Sequence, residues 1–239
     1  MIIDNELIID GVRTSSFPFK VIVEDHPFLK ISSSKTRLIE HNGISGAIKS
    51  TNKHRSMVKR SYHISLIDCD YTQVLEFTEL LTKENFWLMN ERLQGIRFWC
   101  YTVDDFEFRV DNFGAWVADV TFNCHPTKYM TTIDTQTFTA NGSYNTQGTA
   151  LAFPIITIVP KSTTDCYFSI AGNYVELIDA VKTTIMINNQ QMPSVRDNTG
   201  NQVKWRGDFV TVDPVKDMYG VVLGAGVESL KVETNWGYK

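Results

Sequence analysis

Short runs of alternating apolar and polar residues follow one another along most of the chain, which is the pattern of half-buried β-strands. Residues 19–25, 62–68 and 96–103 are also rich in β-branched and aromatic side chains. Such side chains pack well on a pleated surface that is buried on one face. The pattern therefore predicts a mainly β protein.

Residues 107–126 predict a β-hairpin within this series. Phe108 and Val110 alternate with polar residues, residues 111–114 have turn chemistry, and apolar residues alternate again from Trp116. Proline cannot donate a hydrogen bond to a neighbouring strand. We therefore expect the return strand to end at Pro126.

One segment has helical spacing instead. Its apolar residues recur three and four positions apart between residues 74 and 81. Asp70 followed by Gln73 fits a capping box, in which a carboxylate accepts a backbone N–H and the amide side chain reaches back. We expect one amphipathic helix over residues 71–83, packed against a sheet.

A polar segment at residues 131–148, with almost no charge, predicts a linker. The expected domains are therefore residues 1–132 and 133–239. Short strand-like runs resume after the segment at roughly ten-residue spacing, which predicts a β-sandwich. These runs are residues 152–160, 165–172, 174–179, 183–190, 208–214, 219–226 and 228–236.

Composition narrows the functional classes. The chain has 239 residues, 43% of them hydrophobic, and a net charge of -4 with a pI near 5.7, which disfavours a dedicated nucleic-acid binder. The four cysteines form no CxxC pair, so we expect free thiols and no zinc site. No signal peptide and no membrane-spanning run is apparent, and we expect synthesis in a cytoplasm.

Catalytic motifs are absent. Zincin, nucleophile-elbow and P-loop patterns do not occur, and all five histidines precede residue 133. The carboxylates at Asp68 and Asp70 are explained by a helix cap, and Cys124 with His125 by the end of a strand. We therefore predict no enzyme activity, no catalytic residue, no metal ligand and no cofactor.

Positive charge is concentrated in residues 49–60, which contain five cations and no acid. They are Lys49, Lys53, Arg55, Lys59 and Arg60. A nucleic acid, a membrane, a partner subunit and plain solvent are all candidate neighbours for this basic segment.

Two degenerate motifs carry a family resemblance. The first is V-x-F-x-C-x-P at residues 120–126; the second starts at Asn141 and continues as G-T-A-x-x-x-P-x-I-x-I to Ile158. Together with the NGISGAIKS turn at residues 42–50 and the order of elements, they resemble the distal tail protein (Dit) family of long-tailed bacteriophages. The resemblance covers nearly the whole chain.

The resemblance implies an N-terminal domain that closes into a homo-hexameric ring and a C-terminal galectin-like β-sandwich. The ring would join the tail-tube protein to the tail-tip hub protein in the virion, contact receptor-binding proteins, and leave a channel for DNA. No specific nucleic-acid binding and no membrane contact is implied. The alternative function is a host cell-wall carbohydrate-binding module, for which Trp205, Arg206 and Trp236 are available without any histidine.

The same resemblance places the basic segment where relatives extend a belt around the ring. We therefore expect residues 49–60 to form an exposed arm that contacts a neighbouring subunit. Contact with the tail-tube protein, a solvated loop and DNA binding are the alternatives. A DNA conduit should not retain its cargo, which disfavours the last of these.

Overall fold

The computed structural model describes residues 5–24, 29–162, 164–178, 183–190 and 192–239, without the side chains of residues 52 and 53. Contacts divide the chain into two compact units between Lys128 and Tyr129. The predicted boundary lies after residue 132. Among the described residues, no helix has both the length and the apolar character needed to cross a membrane.

The first unit is mainly β with one helix, as the sequence predicts. One sheet has the strand order β2-β1-β7-β8-β10-β6-β3, with β9 paired to β10, and β4 and β5 form a separate two-stranded sheet. The elements are β1 (Leu7–Ile9), β2 (Val12–Arg13), a 3-10 turn (Thr14–Ser16), β3 (Lys20–Val23), β4 (Ser34–Glu40), β5 (Ala47–Arg55), β6 (Val58–Ile67), α1 (Tyr71–Leu81), β7 (Phe86–Asn90), β8 (Ile96–Val103), β9 (Arg109–Val110) and β10 (Trp116–Met130).

The structure confirms the predicted start of helix α1 and its predicted capping box. The Asp70 carboxylate accepts from the backbone N–H of Gln73 at 2.9 Å, and the backbone N–H of Asp70 donates to the Gln73 side chain at 3.0 Å. Val74, Phe77 and Leu81 are buried in the core of the first unit. The helix ends at Leu81, two residues before the predicted end.

The predicted turn at residues 111–114 is confirmed, but the predicted strand end is wrong. Asp111 Oδ1 accepts from the backbone N–H groups of Phe113 and Ala115, both at 2.8 Å. Strand β10 continues through Pro126 to Met130. Its pairing with β6 ends at Cys124, opposite Val58, so a proline further along breaks no bond to β6.

The second unit is a β-sandwich of two five-stranded sheets. Their orders are β11-β20-β13-β16-β17 and β12-β19-β14-β15-β18, and buried aliphatic and aromatic side chains form one core. The ten strands of these sheets are β11 (Asp134–Phe138), β12 (Gly142–Asn145), β13 (Ile155–Pro160), β14 (Tyr167–Ile170), β15 (Asn173–Leu177), β16 (Ile185–Asn188), β17 (Ser194–Asp197), β18 (Trp205–Gly207), β19 (Met218–Leu223) and β20 (Val227–Thr234). A short last strand, β21 (Gly237–Tyr238), belongs to neither sheet.

Two sequence expectations for the second unit are wrong. The predicted linker at residues 131–148 contains β11 and β12, because its threonines and aromatic residues pair with β20 and β19. Tyr144 is buried there, and its hydroxyl bonds to Thr234. Residues 208–214 form no regular strand and make only an isolated bridge, between Val212 and Ala152.

The two domains expected from the sequence imply that the second unit folds on its own. This stays a prediction, and the structure makes its test more specific. The buried indole of Trp236 donates to Asp134 Oδ2 at 2.9 Å. A fragment that starts at Tyr129 retains this bond, whereas one that starts at Thr135 leaves a buried donor without its acceptor, at a cost of about 1–3 kcal/mol. Chemical denaturation should therefore show cooperative unfolding for both fragments, with a lower midpoint for the shorter one. Equal midpoints would contradict this role of Asp134.

Candidate functional site

Strands β4 and β5 form a hairpin, here called the arm, that comprises residues 34–55. Six residue pairs define its antiparallel register, from Ser34 opposite Arg55 to Glu40 opposite Ala47, with one irregularity after Ser34. Every described side chain between Ser34 and His54 is exposed, except the half-buried Thr36. The arm therefore adds no buried apolar side chain to the core of the first unit.

Apolar side chains on the arm face solvent. Leu38 is 66% exposed, Ile44 52% and Ile48 50%. Ile39 lies directly opposite Ile48, so these two form a cross-strand pair on one face, while Leu38 lies opposite Lys49 on the other. An isolated two-stranded hairpin is marginally stable in water. The arm thus has the composition of a segment that is stabilised by contact with another surface.

The arm is strongly basic relative to the rest of the protein. Residues 34–55 contain five lysines and arginines and one glutamate, which gives a net charge of +4, against -4 for the whole chain. The remaining residues therefore carry -8. A basic segment of this kind is suited to contact with an acidic surface.

Backbone and side-chain hydrogen bonds fix the base of the arm. The Arg55 guanidinium donates to the carbonyl of Ser32 at 2.9 Å, and the backbone N–H of Ser56 donates to the carbonyl of Ser33 at 3.0 Å. These bonds tie the two ends of the hairpin to each other. Arg55 is therefore half-buried and serves as an anchor at the base rather than as an exposed contact.

The predicted interface residues divide into two groups. Lys49 lies exposed on the arm, whereas the side chain of Lys53 lies outside what the structure describes. Lys59 and Arg60 lie on β6 and not on the arm. The expectation of one exposed arm over residues 49–60 is therefore wrong in its bounds, because the chain turns back into the large sheet at Val58.

Arg60 is the clearest correction, since it is only 1% exposed. Side chains alternate along β6, which places Arg60 on the inward face together with Tyr62. Its guanidinium carbon lies 3.5 Å from the centroid of the Phe98 ring, a cation–π geometry. Burial lowers the pKa of Arg60, with Tyr62 and Cys124 acting against that effect.

Lys59 is exposed on the opposite face of β6 and makes a local ion pair. Its Nζ lies 2.8 Å from Asp104 Oδ2, and this hydrogen bond, followed by that from Asn123, lowers the pKa of the Asp104 carboxyl. An exposed pair of this kind adds little to the free energy of folding, because solvent screens the two charges. Lys59 is therefore already partnered within its own unit.

The sequence missed the apolar residues of the arm because β4 was not predicted as a strand. Its sequence, SKTRLIE, mixes charges with only two adjacent aliphatic residues and shows no clear alternation. A usable signal was the turn-forming sequence HNGISG at residues 41–46, flanked by isoleucines at 39 and 48. That arrangement is typical of a hairpin.

The other candidate residues, Cys124 and His125, lie next to each other on β10. Cys124 is buried and its pKa is raised, first by a hydrogen bond with Cys100 and then by burial; burial also lowers the pKa of His125. No group of three potential metal ligands occurs in the part of the chain that the structure describes. All four cysteines are free thiols.

The three residues considered for sugar binding are not equivalent. Trp236 is fully buried and bonded to Asp134, so it cannot stack on a ligand. Arg206 forms an exposed ion pair with Glu176 across β15 and β18. Trp205 is half-buried and lines a cavity at one edge of the sandwich.

Comparison with known proteins gives a structural match. No family model and no curated protein matches the sequence. The fold is similar to the crystal structure of the Dit protein (gp 19.1) of phage SPP1, described as a paradigm of the hub adsorption apparatus in phages that infect Gram-positive bacteria. The TM-score is 0.69 at 13% identity, and the match covers 96% of this chain and 98% of the SPP1 chain. The chain therefore has the fold of a phage distal tail protein, as the resemblance of its sequence predicted.

Proposed function

We propose that this chain is a structural subunit of a phage tail tip that assembles into a homo-hexameric ring. The ring would join the tail-tube protein to the tail-tip hub protein, contact receptor-binding proteins, and leave a central channel for DNA. The fold likeness supports this proposal because it extends over almost the full length of both chains. A role in the virion and no catalytic activity follow from the same proposal.

The exposed arm is the main structural observation in favour of a ring. A closed ring needs a heterologous interface, in which one surface meets a different surface on the next copy. The arm supplies one such surface, since it is exposed, basic and tipped with aliphatic side chains. Its contacts would leave the core of its own unit unchanged.

Energetics assign different roles to the two kinds of arm residue. Fully burying an aliphatic side chain contributes about 1.5–3 kcal/mol, whereas an exposed ion pair contributes about 0–1 kcal/mol. Leu38, Ile39 and Ile48 would therefore provide most of the affinity. Lys49 and the other cations would set orientation and register against the acidic surface of the neighbour.

Electron microscopy of the purified chain tests the ring directly. We expect closed six-fold particles with a central opening, because the same arm contact repeats between every pair of neighbours. Images collected at low ionic strength, where charge attraction is least screened, give the most favourable conditions. Particles of single-chain size, or open chains without closure, would contradict the proposal.

A further inference from the structure

A cavity of about 470 Å³ lies at one edge of the second-unit sandwich. It is lined by Met192 and Pro193 just before β17, by three residues of β17, by Gln202 and Val203 between β17 and β18, and by Trp205 and Phe209. Sites that bind small molecules commonly have volumes of about 300–1,000 Å³ and combine an apolar wall with a few polar groups. The proposed ring function makes no use of this cavity.

Two aromatic rings form part of its wall. The centroids of Trp205 and Phe209 are 4.6 Å apart, with their planes inclined by 55°. Both side chains are half-buried and pack against the core of the second unit, which holds them in place. A fixed aromatic surface next to solvent is suited to stacking against the apolar C–H face of a sugar ring.

Polar groups lie beside the aromatic rings. The side-chain amide of Gln202 is exposed and makes no hydrogen bond within the described part of the chain, so it can both donate and accept. Arg196 Nη1 donates to the carbonyl of Gly200 at 2.8 Å, which orients the guanidinium while leaving further donors. The hydroxyl groups of a saccharide can donate to and accept from the Gln202 amide, and they can accept from the Arg196 guanidinium.

The charge of the lining restricts the class of ligand. Among the described residues that line the cavity, Arg196 is the one charged residue and none carries a carboxylate. A cationic ligand would therefore meet a like charge without compensation. Neutral sugars, or sugars that carry an acidic group, are favoured.

A peptide that adds to the sheet edge is disfavoured by the backbone at β17. The N–H of Asp197 donates to the carbonyl of Asn201 at 2.9 Å, and the N–H of Val203 donates to the carbonyl of Val195 at 3.1 Å. The segment between β17 and β18 thus already occupies the outer edge of β17. A ligand in this cavity would therefore contact side chains and not the backbone of β17.

We infer that this cavity binds a short segment of a neutral or acidic saccharide, with a sugar ring stacked on Trp205 and hydroxyl groups bonded to Gln202 and Arg196. This activity goes beyond the proposed ring function. It would give the second unit a weak glycan contact that repeats in every copy, and repeated weak contacts gain strength when copies are linked.

The test uses the full chain labelled with 5-fluorotryptophan. Each of the five tryptophans of the chain then gives a separate fluorine resonance. Trp205→Phe identifies the resonance of Trp205. Titration with an N-acetylglucosamine tetramer, maltohexaose or an acidic galacturonic acid tetramer should shift that resonance saturably, with a dissociation constant on the order of 1 mM. No shift with any of the three probes would overturn the inference.

Matched variants separate this site from other surfaces. Trp205→Ala and Gln202→Ala should each weaken binding by about tenfold, a difference near 1.4 kcal/mol. Arg206 lies on the same strand as Trp205 but outside the cavity. Arg206→Ala should therefore leave binding unchanged. Saccharide binding that survives Trp205→Ala would overturn the assignment, as would a resonance that responds only to a soluble peptide of alternating valine and threonine. The solution mass of the protein should not change in these variants, so failure here is distinct from failure of the ring.

Discussion

Arg60→Glu is expected to lower the free energy of unfolding of the first unit by more than about 3 kcal/mol. The native guanidinium is buried against the Phe98 ring and next to Tyr62. A carboxylate there would lose the cation–π attraction, face the negative surface of the ring, and bury a charge without its hydrogen bonds. Denaturant unfolding followed by circular dichroism measures the loss.

Two further variants show whether charge or volume causes this loss. Arg60→Met retains a long apolar side chain and should be much less destabilising than Arg60→Glu, since hydrophobic replacements of buried charges are often tolerated. Lys59→Ala removes an exposed ion pair on the adjacent position and should cost at most about 1 kcal/mol. If Arg60→Glu unfolds at the same denaturant concentration as Lys59→Ala, Arg60 is not a core residue.

If the chain forms the proposed ring, the combined change Ile39→Asp and Ile48→Lys is expected to dissociate that ring into single chains. These residues lie opposite each other on the arm and are 42% and 50% exposed within one chain. The variant replaces an apolar cross-strand pair by one of opposite charge, which retains the hairpin and its net charge. The apolar contact with a neighbouring copy is lost, while unfolding of the single chain should shift by no more than about 0.5 kcal/mol.

Leu75→Asp provides the matched control for the arm variant. Leu75 is an apolar residue on α1 with 51% exposure, so its replacement also removes an exposed aliphatic side chain. Sedimentation velocity should show single chains for the arm variant and the unaltered assembly for Leu75→Asp. If both variants sediment like the unaltered protein, the arm is not an interface between copies, and contact with the tail-tube protein or with solvent remains.

Local chemistry explains which parts of the fold were predictable. The capping box at Asp70 and Gln73, the strand Ile96–Val103 and the turn at residues 111–114 depend on neighbouring residues, and all three are confirmed. The predicted linker failed because β11 and β12 are polar strands. Their partners β20 and β19 lie more than 70 residues further along the chain. Pairing at that distance leaves no local signal.

The candidate site was predicted only in part, because its bounds also depend on pairing between strands. The concentration of positive charge drew attention to β5, but the sequence did not show where the exposed hairpin ends and the core strand begins. Alternation along residues 58–66, where Val58, Arg60, Tyr62, Ile64 and Leu66 share the inward face, indicates that Arg60 belongs to the core. A count of charges alone treats Lys59 and Arg60 alike, although one is exposed and the other is buried.

The central claim is that copies of this chain assemble through the arm, and the solution mass of the unaltered protein tests it most directly. Size-exclusion chromatography with light scattering, at about 0.1 M salt where charges are screened beyond about 10 Å, measures that mass. We predict about six times the 27.2 kDa of one chain for a closed ring. A mass of 27.2 kDa at every protein concentration would contradict the account.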